Sequence, residues 1–126
     1  MPSFNKVILM GNLTRSPELR YTPSGTPVVT IGMASNRRFK QGDELKEEVC
    51  FVDVVAFGRT AETAAQYLDK GDCIQVDGRL QQRRWETETG EKRQKHEVVA
   101  DHVTFIKTKR GPQQEDHGTH DQAPYE

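Results

Sequence analysis

The chain has 126 residues, a formal net charge of −1 and a hydrophobic fraction of 33%, which is low for a globular protein. That length suits one domain. A small domain with so few apolar residues gains by burying more surface in an oligomer. No apolar run reaches the ~20 residues that a membrane-spanning helix requires, and the amino-terminal MPSFNKVILMGN lacks the layout of a signal peptide. We therefore expect a cytoplasmic protein with no membrane contact.

Acidic and basic side chains balance over most of the chain. Residues 1–106 carry fifteen of each, so a polyanionic partner would have to be recognised by the distribution of charge and not by its sum.

Cys50 and Cys73 each lie in an apolar, β-like run and not in a Cys-x-x-Cys pair. We expect both to be small core residues in a reducing compartment, without a disulfide between them.

Runs of β-branched and apolar residues predict five strands. Between the first two, RYTPSGTP has two prolines and a glycine, which are typical of a loop. Between the second and third, FKQGDELKEE is polar and acidic, and we expect a loop there as well. Before the fifth, ETETGEK predicts a hairpin turn with Gly90 at a positive φ. The predicted strands are residues 4–13, 27–36, 49–57, 73–85 and 96–106.

One segment has the periodicity of a helix. In TAETAAQYLDK, residues 60–70, the apolar positions Ala61, Ala64 and Leu68 recur at helical spacing, and Gly71 is a stop signal. Beyond Ile106 the chain is polar and aperiodic, so we expect residues 107–126 to be a disordered tail after a domain of residues 1–106.

The element order is β-β-β-α-β-β. Five short strands with one helix between strands three and four match the all-β OB-fold, a five-stranded Greek-key barrel that binds oligonucleotides or oligosaccharides. An SH3-like barrel is the main rival, but it does not require a helix at this place.

The third predicted strand is apolar on both faces. Its even-numbered residues, from Cys50 to Ala56, are small or apolar and suit a core. Its odd-numbered face has Phe51, Asp53 and Phe57, so that face is either buried a second time or available to a ligand. If the fourth strand continues far enough, Trp85 shares a face with Asp77, Arg79, Gln81 and Arg83.

Aromatic side chains beside arginines indicate a nucleic-acid surface, because any base stacks on a ring with ~1–3 kcal/mol and arginine neutralises phosphate. Three of the four aromatic candidates have arginine within two residues. The competing interpretation puts Phe51 and Phe57 in the core and regards arginines near turns as ordinary surface residues. Asp53, on the same face as both phenylalanines, argues against close phosphate contact there. The candidates are Phe39, Phe51, Phe57 and Trp85, with Arg37, Arg38, Arg59, Arg83 and Arg84.

The sequence has no signature of catalysis. A G-x-S-x-G motif, a Walker loop and a dinucleotide-binding fingerprint are all missing. His96 and His102 have no third metal ligand at suitable spacing. We therefore expect a protein that is not an enzyme and that has no catalytic residues, metal or cofactor.

The chain contains three long motifs, NKVILMGNLTRSPELRYTPSG, VDVVAFGRTAETAAQYLDKGD and VDGRLQQRRWETETGEKR, in that order. Together they resemble the bacterial and mitochondrial single-stranded DNA-binding protein family, and the resemblance extends from about Asn5 to Ile106. It implies an OB-fold, usually in a homotetramer, that wraps single-stranded DNA without sequence preference in replication, recombination and repair. It also implies a place at the bacterial nucleoid.

The family's stacking aromatics, carried over by position, fall on Phe39, Phe51, Phe57 and Trp85. Well-known members often have tryptophan at the first two, so phenylalanine should weaken the stack. Some members have arginine where this chain has Asp53. The resemblance implies that the basic residues along the DNA backbone are Lys6, Arg20, Arg37, Arg59, Lys70, Arg79, Arg83 and Arg84.

The tail departs from the family's pattern, in which a long linker ends in a cluster of acids and an apolar tip that recruits replication and repair enzymes. This chain ends in DQAPYE, where the acids are sparse, so the sequence gives little support for recruitment through the tail. Two other functions fit the same fold. One is a dimeric, primosome-type protein that docks replication enzymes and binds DNA weakly. The other is a module that binds only protein and buries its aromatics at a subunit interface.

Overall fold

The computed structural model describes residues 1–108, apart from the Lys107 side chain. In that range the elements are β1 Val7–Leu13, β2 Glu18–Tyr21, β3 Pro27–Gln41, β4 Glu44–Phe57, α1 Gly58–Tyr67, β5 Cys73–Glu86 and β6 Lys92–Lys107. The predicted tail, from residue 109 onward, lies outside the described residues.

The strands form one sheet that closes on itself. Its order is β1-β5-β6-β4-β3-β2, and β1 pairs with β3 through Asn12 with Ala34 and Leu13 with Met33. Strand β4 pairs in parallel with β6, and the remaining pairs are antiparallel. All strands except β2 thus make a closed five-stranded barrel, and α1 connects the third of these five to the fourth. The predicted OB-fold is confirmed, and the SH3-like alternative is wrong.

The core follows from the alternation of side chains along the strands. Alternate residues of β3 and β4, among them Ile31 and Val54, are fully buried in one cluster with Val98 of β6. Ala61 and Ala64 of α1 belong to the same cluster, which confirms the helical spacing that the sequence shows. Burying each large apolar side chain of this cluster contributes roughly 1.5–3 kcal/mol to the free energy of folding.

The helix begins and ends earlier than the sequence indicates. It ends at Tyr67, and Leu68 is already extended while its N–H donates to the Ala64 carbonyl. Gly71 lies beyond the helix in a turn at a φ of 93°, and its N–H donates to the carbonyl of Leu13 at 2.9 Å. The prediction that Gly71 stops the helix is therefore wrong; this glycine joins the turn to the end of β1.

The acidic loop predicted at residues 39–48 is wrong, because that segment is a continuous β-hairpin. The β3–β4 pairing runs without a shift from Val28 with Phe57 to Gln41 with Glu44. The turn has only Gly42 and Asp43, and Gly42 has a φ of 67°, as the first position of a type II′ turn requires. The predicted turn before the fifth strand is confirmed, with Gly90 at a φ of 89°.

Two further features depart from the sequence prediction. Strand β2 was not predicted; all its residues are exposed and it pairs along one side of β3. Cys50 is exposed and Cys73 is partly buried, so the prediction that both are core residues is wrong. Cys50 lies on the core side of β4, but at a point where the strand has already left the barrel wall.

We predict that Gly78→Ala destabilises the protein by about 1–3 kcal/mol, the usual effect of overpacking. A Cβ atom at Gly78 would lie 2.0 Å from the carbonyl oxygen of Val99, which is backbone and cannot move aside. Gly32→Ala is the comparison variant and should lose less, because the atoms nearest to its Cβ belong to the side chains of Arg15 and Thr14, which can shift. Urea unfolding measures both variants, and equal losses would contradict the prediction.

Candidate nucleic-acid interface

Two hairpins extend beyond the part of the barrel that encloses the core. We call residues 36–49 the β3–β4 arm and residues 82–96 the β5–β6 arm. Most residues of both arms are exposed on both sides of the ladder. The pairing nevertheless continues without interruption, for example between Arg38 and Glu47 and between Arg83 and Lys95. Because side chains alternate without a break along these strands, each side chain on the arms can be assigned to the core side or the outer side of the sheet.

The side of the sheet that points away from the core, here called the outer face, collects many of the predicted site residues. On β4 it has Phe57, Asp53 and Phe51, which alternate with the buried Val54 and Ala56. Registers across the neighbouring strands add the other members of this face. They are Arg20 on β2, Gly32 and Arg38 on β3, Lys95 and Glu97 on β6, and Arg79, Arg83 and Trp85 on β5.

Three of the four predicted aromatic residues are exposed on this face. The exposed fractions are 73% for Phe51, 47% for Phe57 and 41% for Trp85. A large apolar surface left in water is unfavourable, and clusters of such side chains mark binding sites. The interpretation that put Phe51 and Phe57 in the core is wrong.

Phe39 lies on the opposite side of the β3–β4 arm. It pairs with Lys46, whereas Phe51 pairs with Ala34, and the two pairs belong to opposite faces of an unbroken ladder. The Arg37 guanidinium lies 4.6 Å from the centre of the Phe39 ring and is ion-paired with Glu48 at 2.8 Å. The structure therefore joins three of the predicted aromatics on one face and leaves Phe39 with Arg37 on the other.

Trp85 has a partner in Arg83. The Arg83 guanidinium lies 4.7 Å from the centre of the indole ring, within the range of a cation–π interaction. Its Nε is 3.5 Å from a carboxylate oxygen of Glu97, whose side chain is 5% exposed. Gln81 donates a second hydrogen bond to Glu97 at 3.3 Å. This network holds a positive charge beside the exposed ring.

Several other predicted basic residues also have partners in the free protein. Arg20 donates to the Thr30 hydroxyl at 2.9 Å. Lys6 forms an ion pair with Asp77 at 2.5 Å, and Arg79 forms one with Asp101 at 3.9 Å.

Three predicted residues lie elsewhere. Arg84 lies on the opposite face from Arg83, and it donates to the Gln82 side chain at 2.9 Å. Arg59 is exposed in the first turn of α1, and Lys70 is exposed between α1 and β5. The structure places neither Arg59 nor Lys70 on the outer face.

Asp53 is surrounded by two basic residues that the sequence did not assign to the site. Lys95 donates to Oδ2 of Asp53, and Arg15 Nη2 lies 3.5 Å from Oδ1. Burial by itself raises the pKa of Asp53, but the hydrogen bond and charge of Lys95, with the charge of Arg15, outweigh burial and lower that pKa below its ordinary value. The carboxylate is therefore ionised near neutral pH, with its charge compensated.

A sequence signal existed for Lys95 but not for Arg15. The alternation of β6, followed backwards from Val99, puts Glu97, Lys95 and Arg93 on one face. Their cross-strand neighbours on the same face are Gln81, Arg83 and Trp85 of β5. Arg15 follows β1 in a connecting segment without periodicity. The Arg15 side chain reaches Asp53 across Gly32 of β3, and no local sequence pattern reveals this contact.

Within residues 1–108, no group of three or more His, Cys, Asp or Glu side chains is arranged to hold a metal ion. In the same part of the chain, no helix combines the length and the apolar character needed to cross a membrane.

A closed OB barrel with exposed aromatic rings and basic side chains on one face defines an oligonucleotide-binding class of protein. Residues 4–106 match the model of the Single-strand binding protein family. The chain belongs to that family.

Curated relatives agree with this assignment. The chain is 50% identical to the single-stranded DNA-binding protein of Wolinella succinogenes over 126 residues, which is 96% of this chain and 78% of that protein. It is 52% identical to the corresponding protein of Helicobacter hepaticus over 107 residues, covering 84% of this chain and 63% of the relative. The chain thus spans less than two thirds of the Helicobacter protein's length.

Solved structures have the same fold. The structure of the Plasmodium falciparum SSB in complex with ssDNA matches with a TM-score of 0.76 and 25% identity, over 84% of this chain and 97% of that one. A deletion mutant of the single-stranded DNA binding protein from Thermus aquaticus matches with a TM-score of 0.74 and 32% identity, over 84% of this chain and 52% of that one.

We predict that the stability contributed by Asp53 depends on pH. Because the folded pKa is depressed, this contribution is present above the unfolded pKa, near pH ~4, and is lost as the pH falls through the folded value. Asp53→Asn should therefore be less stable than the parent at pH 7, and the difference should shrink below pH ~4. Urea unfolding at both pH values, at one protein concentration, measures it; a deficit independent of pH would contradict the prediction.

Proposed function

We propose that this protein binds and protects single-stranded DNA without sequence preference during replication, recombination and repair, in the bacterial cytoplasm at the nucleoid. The observation that carries the proposal is the exposure of Phe51, Phe57 and Trp85 on one face among basic side chains. Bases of any identity stack on such rings, so affinity does not depend on sequence. Membership of the single-strand binding protein family supports the same function.

The proposed roles divide between rings and charges. Phe51, Phe57 and Trp85 stack bases, while the basic side chains between them contact phosphates. Phe39 and Arg37 lie on the other side of the β3–β4 arm, so the bound strand would have to pass around this arm to reach them. The proposed phosphate contacts on the outer face are Arg20, Arg38, Arg79 and Arg83. Elsewhere along the path of the strand, the proposed phosphate contacts are Lys6, Arg37, Arg59, Lys70 and Arg84.

Fluorescence of Trp85 tests the function, because it is the chain's single tryptophan. Titration with oligo(dT) should quench the emission deeply and saturate stoichiometrically, since a base stacks on the indole. The quenching should survive added duplex DNA and weaken as salt rises. Without quenching, Trp85 would be packed against protein, and a docking module would be the better description.

The same titration should show which rings stack. Removing one stacking ring by Phe51→Ala should weaken binding roughly 5- to 150-fold, the equivalent of ~1–3 kcal/mol. Phe4→Ala is the matched control, because Phe4 is an exposed phenylalanine that precedes β1 and is not one of the proposed stacking rings. Equal effects of the two substitutions would show that the outer face has no special part in binding.

We further propose that the protein assembles as a homotetramer, with a dimer as the alternative. Strand β1 supports this, because among residues 1–108 only its Asn12 and Leu13 are paired on the side away from β5, with β3. The rest of that edge carries the exposed apolar side chains of Ile8 and Met10. An apolar strand edge without a neighbour is suited to pairing with another chain.

Sedimentation equilibrium should give four times the chain mass of 14.3 kDa. Ile8→Lys should reduce that mass, because it puts a charge on the proposed contact edge. Leu45→Lys is the control, since Leu45 is similarly exposed but lies near the tip of the β3–β4 arm. A parent protein that sediments as a monomer would contradict the proposed assembly.

A further inference from the structure

Asp53 lies in the middle of the outer face, between Phe51 and Phe57 on the same strand. Its side chain is 21% exposed, and both of its oxygens are engaged, one by Lys95 and the other by Arg15. Lys95 and Arg15 are themselves more exposed, at 37% and 48%. A ligand approaching the face can therefore reach these two cations while they are bound to the carboxylate.

The arrangement depends on a glycine. Gly32 lies directly opposite Asp53 in the β3–β4 ladder. A Cβ at this position would come within 2.1 Å of Arg15 Nη1, so the missing side chain leaves the space that the Arg15 guanidinium occupies. The Arg15 side chain thus passes over Gly32 and approaches Asp53 from the side of β4 where β3 lies. Lys95 approaches Asp53 from the other side of β4, where β6 lies.

We propose that Asp53 is an internal counterion that occupies the place of a DNA phosphate on the outer face and competes with DNA for Lys95 and Arg15. A carboxylate and a phosphate offer the same kind of acceptor oxygen to these donors. A bound strand then has to replace the carboxylate, which lowers the affinity and reduces the number of phosphates that are newly neutralised. The inference rests on the proposed binding of single-stranded DNA.

The competition predicts an unusual gain of affinity on mutation. Asp53→Asn should bind oligo(dT) roughly five- to tenfold more tightly at low salt, because Lys95 and Arg15 become available to phosphate. The plot of log affinity against log salt should become steeper by up to about 1.4, the value for two additional contacts with a single strand. Trp85 quenching measures both quantities.

Three variants separate the charge of Asp53 from other effects. Asp53→Glu keeps the charge and should bind about as the parent does. Glu44→Gln removes an equal charge from a more exposed ion pair, with Lys46, which is not a proposed phosphate contact, and should change affinity by less than about twofold. Asp53→Thr, neutral and suited to a strand, replaces Asp53→Asn if circular dichroism shows that the asparagine variant is misfolded.

A double-mutant cycle tests whether Lys95 is the competing partner. Lys95→Gln should weaken binding several-fold more in the Asp53→Asn background than in the parent, because only there is the lysine free of the carboxylate. An aspartate with a purely structural role would give the same loss in both backgrounds.

The outcomes distinguish this inference from the proposed function. A parent protein that does not bind oligo(dT) would remove the function on which the inference rests. A parent that binds, with a folded Asp53→Asn variant that binds no more tightly, would overturn the counterion role alone. An equal gain in Glu44→Gln would also overturn it, since net charge and not the position of Asp53 would then be responsible.

Discussion

Side-chain alternation along the four long strands β3–β6 determines both the core and the interface. In β4 the core residues Val54 and Ala56 alternate with Asp53, Val55 and Phe57 on the outer face. The β3–β4 register has no bulge, so each pair keeps its side as far as the arm's tip. A slip of one residue would bury Asp53 and turn both phenylalanines inward, at a large cost in desolvation. Core packing therefore decides which aromatic rings remain available to a ligand.

Several basic side chains of the described surface have a carboxylate partner, in a nearly neutral chain that belongs to the single-strand binding protein family. Lys6, Arg79 and Arg83 each have a carboxylate within 4 Å. An exposed ion pair such as Arg79–Asp101 contributes little to stability, because water and salt screen it and ordering the side chains is unfavourable, whereas Glu97, the partner of Arg83, is buried. The weakness of an exposed pair means that a phosphate can replace its carboxylate with little loss of folding free energy.

Local patterns in the sequence were sufficient for the barrel strands, the apolar face of α1 and the exposed aromatics beside arginines. They were insufficient for the β3–β4 arm, because a hairpin that is polar on both sides has no period of two in its hydrophobicity. The pair Gly42-Asp43 was a turn signal in that segment, and in the structure these two residues form the whole turn between β3 and β4. The contact of Arg15 with Asp53 could not be predicted, since it joins distant segments through the space left by Gly32.

The strength of charge compensation differs between the β3–β4 arm and the centre of the outer face, and this difference bears on how a strand would bind. Arg37 and Glu48, on the β3–β4 arm, are both more than 60% exposed, so their attraction is screened. Asp53 lies where the barrel wall ends and is 21% exposed, so its attraction to Lys95 and Arg15 is screened less. A polyanion would displace the arm's carboxylates more readily than Asp53. Under the proposed function, nucleic acid would therefore reach Arg37 on the β3–β4 arm before it replaces the carboxylate of Asp53.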